Sequence, residues 1–399
     1  MKARTVTVIG AGSSGQAIAG FLALSGYQVN LWNRDDDEEV NRWLKPISDR
    51  GGLEVQGVIE GFAPIQEVTT DIGAAISGAD VILVNTTTDA YQSVGSQLAP
   101  HISSSQRLIL MASGTLGTID MWQGLITGGF TGDLLIGETS TTVFGSRATD
   151  PATVRIGGRK DGVEIASLPS GRADVFDVLL PEFSFVAVDD VLRSAFNNMG
   201  PALHVVPMVL NAGRVEAQGG KFLYYVDGIT PSIAAVIQQF DKERLAVARA
   251  FGYESTTLSD YLTQTVSAPE GSLYESIQGC AMYAKSSSPE HLNHRFLWED
   301  TFAGVVPLLS LAEIATVPVP ISNALITMSS ALLGRDFRDL GRTARNLNLD
   351  DLTVKTMKDL VQNDEAFSTW KQRPRPGLFM HNIQAIVTSE TEAAHENTH

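Results

Sequence analysis

Apolar and polar positions follow two different rhythms along the 399-residue chain. In the first half, short apolar runs recur at Thr5–Ile9, Gln28–Trp32, Asp80–Thr86, Arg107–Met111 and Asp133–Gly137. Runs that are apolar without alternation are typical of strands covered on both faces in a parallel sheet. Between the first two lies a helical spacing, Ile18, Leu22 and Ala23, which stops at Gly26. Thr153–Ile156 and the alternating Phe183–Val188 predict further short strands that finish this half. From Asp190 the rhythm becomes helical. Ile233, Val236, Ile237 and Phe240 recur on one face of a helix expected over Ser232–Phe251, announced by Thr230-Pro231. Strand signals are then nearly absent to about residue 363, and no internal repeat is visible. The pattern predicts an α/β domain over 1–189, an all-α domain over 190–371, and a flexible polar tail over 372–399.

The junction of the first strand and helix carries the first chemistry, Gly10-Ala11-Gly12-Ser13-Ser14-Gly15. A Gly-x-Gly-x-x-Gly between a strand and a helix is the phosphate turn of a Rossmann-type dinucleotide-binding domain. Gly10 permits the sharp turn, Gly12 lets a pyrophosphate approach, and Gly15 lets the helix lie against the strand. Ser13 and Ser14 open that helix, whose free N–H groups favour an anion. About 20 residues on, an NAD site usually offers a carboxylate to the ribose. Here the second strand ends in Asn33-Arg34, which suits a 2′-phosphate and favours NADP(H) over NAD(H). Asp35, Asp36 and Asp37 would bring a carboxylate there in a shifted register. Thr86-Thr87-Thr88, Ala112-Ser113-Gly114-Thr115 and Glu138-Thr139-Ser140-Thr141-Thr142 deliver hydroxyls to the carboxyl ends of three strands. Such residues often satisfy turn backbone. Three in succession favour a lining for cofactor and substrate, with Thr86 and Thr87 on the cofactor.

Composition narrows the partners. A net charge of −16 argues against nucleic acid and anionic membrane. One cysteine, Cys280, excludes an internal disulfide and a multi-cysteine metal site, and a reduced cytoplasm is expected. The start lacks the pattern of a signal peptide. The most apolar window, Phe302–Ile321, holds Glu313 and Pro307, Pro318 and Pro320, and reads as buried core. Among the seven histidines, His204 sits in an apolar helical stretch, where a core role competes with catalysis. His291 and His294 share a spacing that can hold metal, but no further ligands support it, so no metal is expected. Arg295 can clamp a carboxylate in its planar fork. Asp300 can orient a histidine, or serve as a helix cap.

At these residues the sequence resembles the opine dehydrogenases, over nearly the whole chain to about residue 362. The resemblance rests on the opening glycine motif, Gly137-Glu138-Thr139-Ser140, His204 with Pro207 and Leu210-Asn211-Ala212, and Glu216. It continues through Tyr224-Tyr225-Val226-Asp227-Gly228-Ile229-Thr230-Pro231-Ser232, Arg295-Phe296 with Glu299-Asp300, and Gly304 to Leu308. It closes on Asp336-Phe337-Arg338 with Gly341-Arg342-Thr343. It implies an active site in the cleft between the two domains. The implied reaction is NAD(P)H-dependent reductive condensation of a 2-oxo acid with the amine of an amino acid. His204 and Asp300 are then a catalytic dyad, Arg295 a carboxylate anchor, and Glu138 and Thr139 a lining of the amino-acid site. The implied partners are small molecules, and a homodimer is compatible with the reading. Departures are Asn33-Arg34 in place of the acidic residue of NAD-using relatives, and Gly200-Pro201 just before His204. Two other readings compete: a keto-acid reductase of related two-domain build, which would want a lysine such as Lys221, Lys242 or Lys285, and a non-catalytic NADP-binding sensor.

Overall fold

The computed structural model describes residues 4–374. The tail expected to be flexible lies outside the described residues from position 375 on, together with His381, His395 and His399. Among the described residues, twelve strands form two sheets. The larger has the order β12-β11-β8-β7-β6-β1-β2-β5, with β1 Thr5–Ile9, β2 Gln28–Trp32, β5 Glu67–Thr69, β6 Val81–Val84, β7 Arg107–Leu110, β8 Leu135–Thr139, β11 Glu164–Leu168 and β12 Val186–Ala187. All neighbours are parallel except β11 against β8. Both faces are covered. Val6, Val8, Val81 and Leu83 enter one core with the helix α1 (Ser13–Leu24), while Ile9, Ile82 and Val84 enter another. That second core runs without a break into the helical half, through Phe196, Val206 and Val306.

The smaller sheet was not legible as a separate unit. Its order is β4-β3-β10-β9, from β3 Gly52–Gly57, β4 Gly61–Pro64, β9 Phe144–Asp150 and β10 Thr153–Arg159. Thr153–Ile156 is therefore a strand, but it belongs to this sheet, which packs on α1, and does not extend the nucleotide-binding sheet. Phe183–Val188 is mostly not a strand. Phe183 closes a 3-10 turn from Pro181, Ser184 takes a left-handed backbone (φ 52°), and only Val186 and Ala187 pair. The alternation there reflects Phe183 packed on Phe21 and Phe144, with Phe185 packed on Phe183.

The helical half starts at Asp190, whose carboxylate caps α2 (Val191–Phe196) by accepting from the N–H groups of Leu192 and Arg193. Short helices α3 (Gly200–Leu203) and α4 (Val205–Leu210) follow. The long helix α5 (Pro231–Ala250) has Thr230 as its cap and Pro231 in its first turn, as its start signal predicts. From Asp190 onward the only β pairing among the described residues is an isolated bridge between Leu223 and Ser287. No helix of the described residues is long and apolar enough to cross a membrane.

Candidate active site

The glycine turn closes as its residues require. Gly10 has φ +106°, and a Cβ there would lie 2.7 Å from the Asn85 carbonyl oxygen. A Cβ on Gly15 would overlap the Gly10 carbonyl, whereas one on Gly12 would meet nothing within 4 Å. The open side at Gly12 faces the first turn of α1, which has no acidic residue and no side-chain cap. Free N–H groups and a positive helix end with room before them fit a dinucleotide pyrophosphate. Ser13 Oγ accepts from the Ala148 N–H at 3.0 Å, and Ser14 Oγ donates to Asn85 Oδ1 at 3.3 Å. Both serines thus brace the turn. At the end of β2, Asn33 is buried and donates to Glu39 at 3.0 Å, while Arg34 stands half-exposed 3.5 Å from the same carboxylate. Asp36 is spent capping the short helix Asp37–Glu39. Glu39 is the carboxylate that both Asn33 and Arg34 meet.

Of the hydroxyls delivered by the strand ends, most serve the backbone. Thr139 Oγ1 accepts from the Ala112 N–H, Ser113 donates to the Gly114 carbonyl, and Thr115 accepts from Asn198. Only Thr86 Oγ1 and Thr88 Oγ1, in the loop after β6, are buried with no partner among the described residues, as is the amide nitrogen of Asn85. Unpartnered buried polar atoms at a strand end are costly unless something binds there. Glu138 is wholly buried on β8, with one oxygen held by the Thr118 backbone and hydroxyl and the other by the Ser194 hydroxyl of α2. Burial pushes its carboxyl above the ordinary range. Glu138 and Thr139 thus sit inside the junction between the two halves, with their side chains turned from solvent.

The helical half supplies the reactive groups. Pro207 has no N–H and its ring crowds the Leu203 carbonyl, so the chain breaks between α3 and α4 with His204 at the break (φ −115°). His204 Nδ1 lies 2.9 Å from Asp300 Oδ2 and Nε2 lies 3.2 Å from the Tyr225 hydroxyl. Phe296 stacks on the imidazole with centroids 3.9 Å apart and planes 6° apart, and the Tyr224 hydroxyl donates to the His204 carbonyl at 2.7 Å. Asp300 ends α6 (Arg295–Asp300) and is followed by a π-helical turn, Thr301–Val305. The carboxylate reaches His204 because position 200 is glycine: a Cβ there would overlap Asp300 Oδ1. Asp300 thus pairs with His204, and the cap of α6 is His294, whose Nδ1 accepts from the Phe296 N–H at 3.2 Å.

Arg295 points outward beside this group, its side chain 58% exposed, with Nε 2.9 Å from Glu299. Its Nη groups have no acceptor among the described residues, so a planar fork remains for a carboxylate. The Glu299 carboxylate holds the guanidinium firmly charged. Glu299 in turn accepts from the Thr88 N–H at 2.9 Å, tying the arginine to the cofactor-side loop of the first domain. His294 is kept neutral: burial, then Arg295, lowers it to about 4. Phe296 and Glu299 were given no role of their own in the sequence reading, His294 was weighed only as a metal ligand, and Tyr224 and Tyr225 only as the lining of an aromatic pocket. Only the clustering of Tyr224-Tyr225 and Arg295-Phe296 around the chosen residues pointed their way. Lys221, Lys242 and Lys285 are exposed, and no group of three or more His, Cys, Asp or Glu among the described residues could hold a metal.

A Rossmann domain joined to helices that bring a His–Asp pair and an arginine to the ends of its strands defines a two-domain nicotinamide-dependent dehydrogenase. Residues 187–333 match the family model for the NAD/NADP octopine/nopaline dehydrogenase α-helical domain, and residues 5–126 match the N-terminus of NAD-dependent glycerol-3-phosphate dehydrogenase. The opine dehydrogenase of Arthrobacter sp. (strain 1C) is 33% identical over 91% of this chain and 100% of its own length. Protein ocs of Agrobacterium tumefaciens (strain Ach5) is 26% identical over 86% of this chain and 95% of its own. An octopine dehydrogenase structure with NADH and L-arginine superposes with a TM-score of 0.71 at 19% identity, covering 89% of this chain and 97% of that one. The chain belongs to the opine dehydrogenase family. It is an NAD(P)-dependent oxidoreductase of the CH–NH group that joins a keto acid to an amino acid by reductive condensation.

Proposed function

We propose that this enzyme uses NADPH in preference to NADH and condenses a 2-oxo acid with an amino acid whose side chain is uncharged. The observation that carries the reading is the His204–Asp300 pair at 2.9 Å beside the free guanidinium fork of Arg295. Asp300 accepts from Nδ1–H, which leaves Nε2 as the basic nitrogen. A 2-oxo acid carboxylate pairs with the Arg295 fork, which fixes its carbonyl near His204. His204 is the base that finally holds a proton from the amino acid's ammonium group, freeing the amine to attack. The imidazolium returns that proton to the carbinolamine hydroxyl, which leaves as water. Bound NADPH supplies the hydride that reduces the C=N bond. Asp300 stabilises the cation formed in between, and Phe296 keeps the ring plane fixed.

The choice of cofactor is supported by Asn33 and Arg34 at the end of β2, where a 2′-phosphate would find a cation. The choice of amine is supported by Glu138. Its two oxygens are already occupied and buried, so it offers no counter-charge to a guanidinium or ammonium side chain. The aromatic cluster beside His204, with Phe296 on the imidazole and Tyr225 stacked on Tyr283, likewise brings no counter-charge. The test is nicotinamide oxidation with 2-oxo acids crossed against neutral, acidic and basic amino acids. The expected result is consumption of NADPH only when a neutral amino acid is present. Faster turnover with arginine or lysine would refute the assignment of the amine, and oxidation without any amine would refute the reaction.

A further inference from the structure

The basic nitrogen of the dyad is already occupied. With Nδ1–H committed to Asp300, Nε2 is the acceptor, and the Tyr225 hydroxyl donates to it at 3.2 Å. Tyr225 is held in place: its ring stacks on Tyr283 (4.2 Å, 19°) and packs edge-on against Tyr224 (5.0 Å, 85°). Tyr224 is itself tied to the His204 carbonyl. The hydroxyl therefore does not swing clear of Nε2 without repacking a buried aromatic cluster. His204 is locked as well, between Phe296 and Asp300.

We propose that Tyr225 is the proton relay of this active site, so that His204 exchanges protons with substrate through the Tyr225 hydroxyl and not directly. The inference rests on the His204 reading above. In the forward step the ammonium of the amino acid gives a proton to the Tyr225 oxygen, while the Tyr225 O–H proton passes to Nε2. The amine becomes neutral, His204 a cation, and tyrosine is regenerated. In the return step Nε2–H passes its proton to the Tyr225 oxygen as the tyrosine gives its own to the carbinolamine hydroxyl. The C–O bond breaks, water leaves, and His204 is neutral again. Burial raises the phenol far above its ordinary value, so the hydroxyl stays un-ionised and able to donate and accept at once.

The test uses single turnovers on whichever amine and oxo-acid pair the wild type consumes. The wild-type rate is measured in mixtures of H2O and D2O, and the rate, NADPH affinity and oxo-acid KM of Tyr225→Phe are compared. A relay moves two protons together, so the wild-type inventory curves downward. Tyr225→Phe then loses roughly a hundredfold in rate with NADPH affinity and KM little changed, and its inventory becomes linear. A linear wild-type inventory overturns the relay, and that measurement stands alone if the variant does not fold. A Tyr225→Phe rate equal to wild type overturns it too, while leaving the His204 reading intact. If His204→Ala instead keeps the wild-type rate, the dyad itself is refuted and the relay falls with it.

Discussion

At Gly200 one missing methyl group lets the dyad form. Asp300 Oδ1 occupies the place a Cβ would take, and Gly304 is likewise required because a Cβ there would overlap Pro201. Gly200→Ala is expected to displace Asp300 from His204 and lower kcat by roughly ten- to a hundredfold, with NADPH binding unchanged by fluorescence titration. Wild-type kcat in that variant would show that the pair is not needed in this geometry. His294 makes a second prediction. The folded protein holds it near 4, below the ordinary 6.5. The unfolded chain therefore takes up a proton as pH falls from about 6.5 to 4 while the native state does not, so stability declines through that window. His294→Asn keeps the helix cap and removes the titration. Its melting temperature should fall less between pH 7 and pH 5 than that of the wild type, and an equal fall would contradict the assignment.

Among the elements, those closest to one another in sequence were the most legible. β1 and β2 fall on the residues their apolar runs predict, and α5 begins at its Thr230 cap, because local propensity, capping and burial agree there. The smaller sheet was hidden because β3 pairs with β10, about 100 residues away. His204 and Asp300 could be named from the family resemblance, but the reason they meet, glycine at 200 and the break forced by Pro207, is a matter of packing. The burial of Glu138 was hidden for the same reason: nothing local says that Thr118 and Ser194 would enclose it. The end of β2 carries its own prediction, since Glu39 would compete with a 2′-phosphate for Arg34 under the proposed use of NADPH. Glu39→Gln should shift the ratio of NADPH to NADH affinity toward NADPH by about two- to fivefold, the scale of an exposed ion pair. No shift, or one toward NADH, would mean that this strand end does not read the ribose phosphate.

Across the whole molecule, one arginine ties the two domains together. Arg342 is buried, pairs with Asp120 at 2.7 Å, and donates to the carbonyls of Ser113 and Thr88 at 2.7 and 2.8 Å. It therefore fixes both cofactor-side loops to the helical half, beside the Thr115 N–H to Ala303 bond at 2.7 Å. Arg342→Ala leaves a buried carboxylate without its cation and is expected to cost about 3–5 kcal/mol, read as a lowered denaturant midpoint. A loss below about 1 kcal/mol, the scale of a surface pair, would contradict the clamp. The reaction proposed for this clamped junction is the reduction of an imine at His204. It is tested most directly by mass spectrometry of the product formed from NADPH deuterated at the transferred position, a 2-oxo acid and a neutral amino acid. The expected product is a secondary amine, equal to both substrates less water plus one deuterium and one hydrogen, with deuterium on the former oxo carbon and none formed by His204→Ala. Deuterium in a 2-hydroxy acid, with the amino acid untouched, would contradict it.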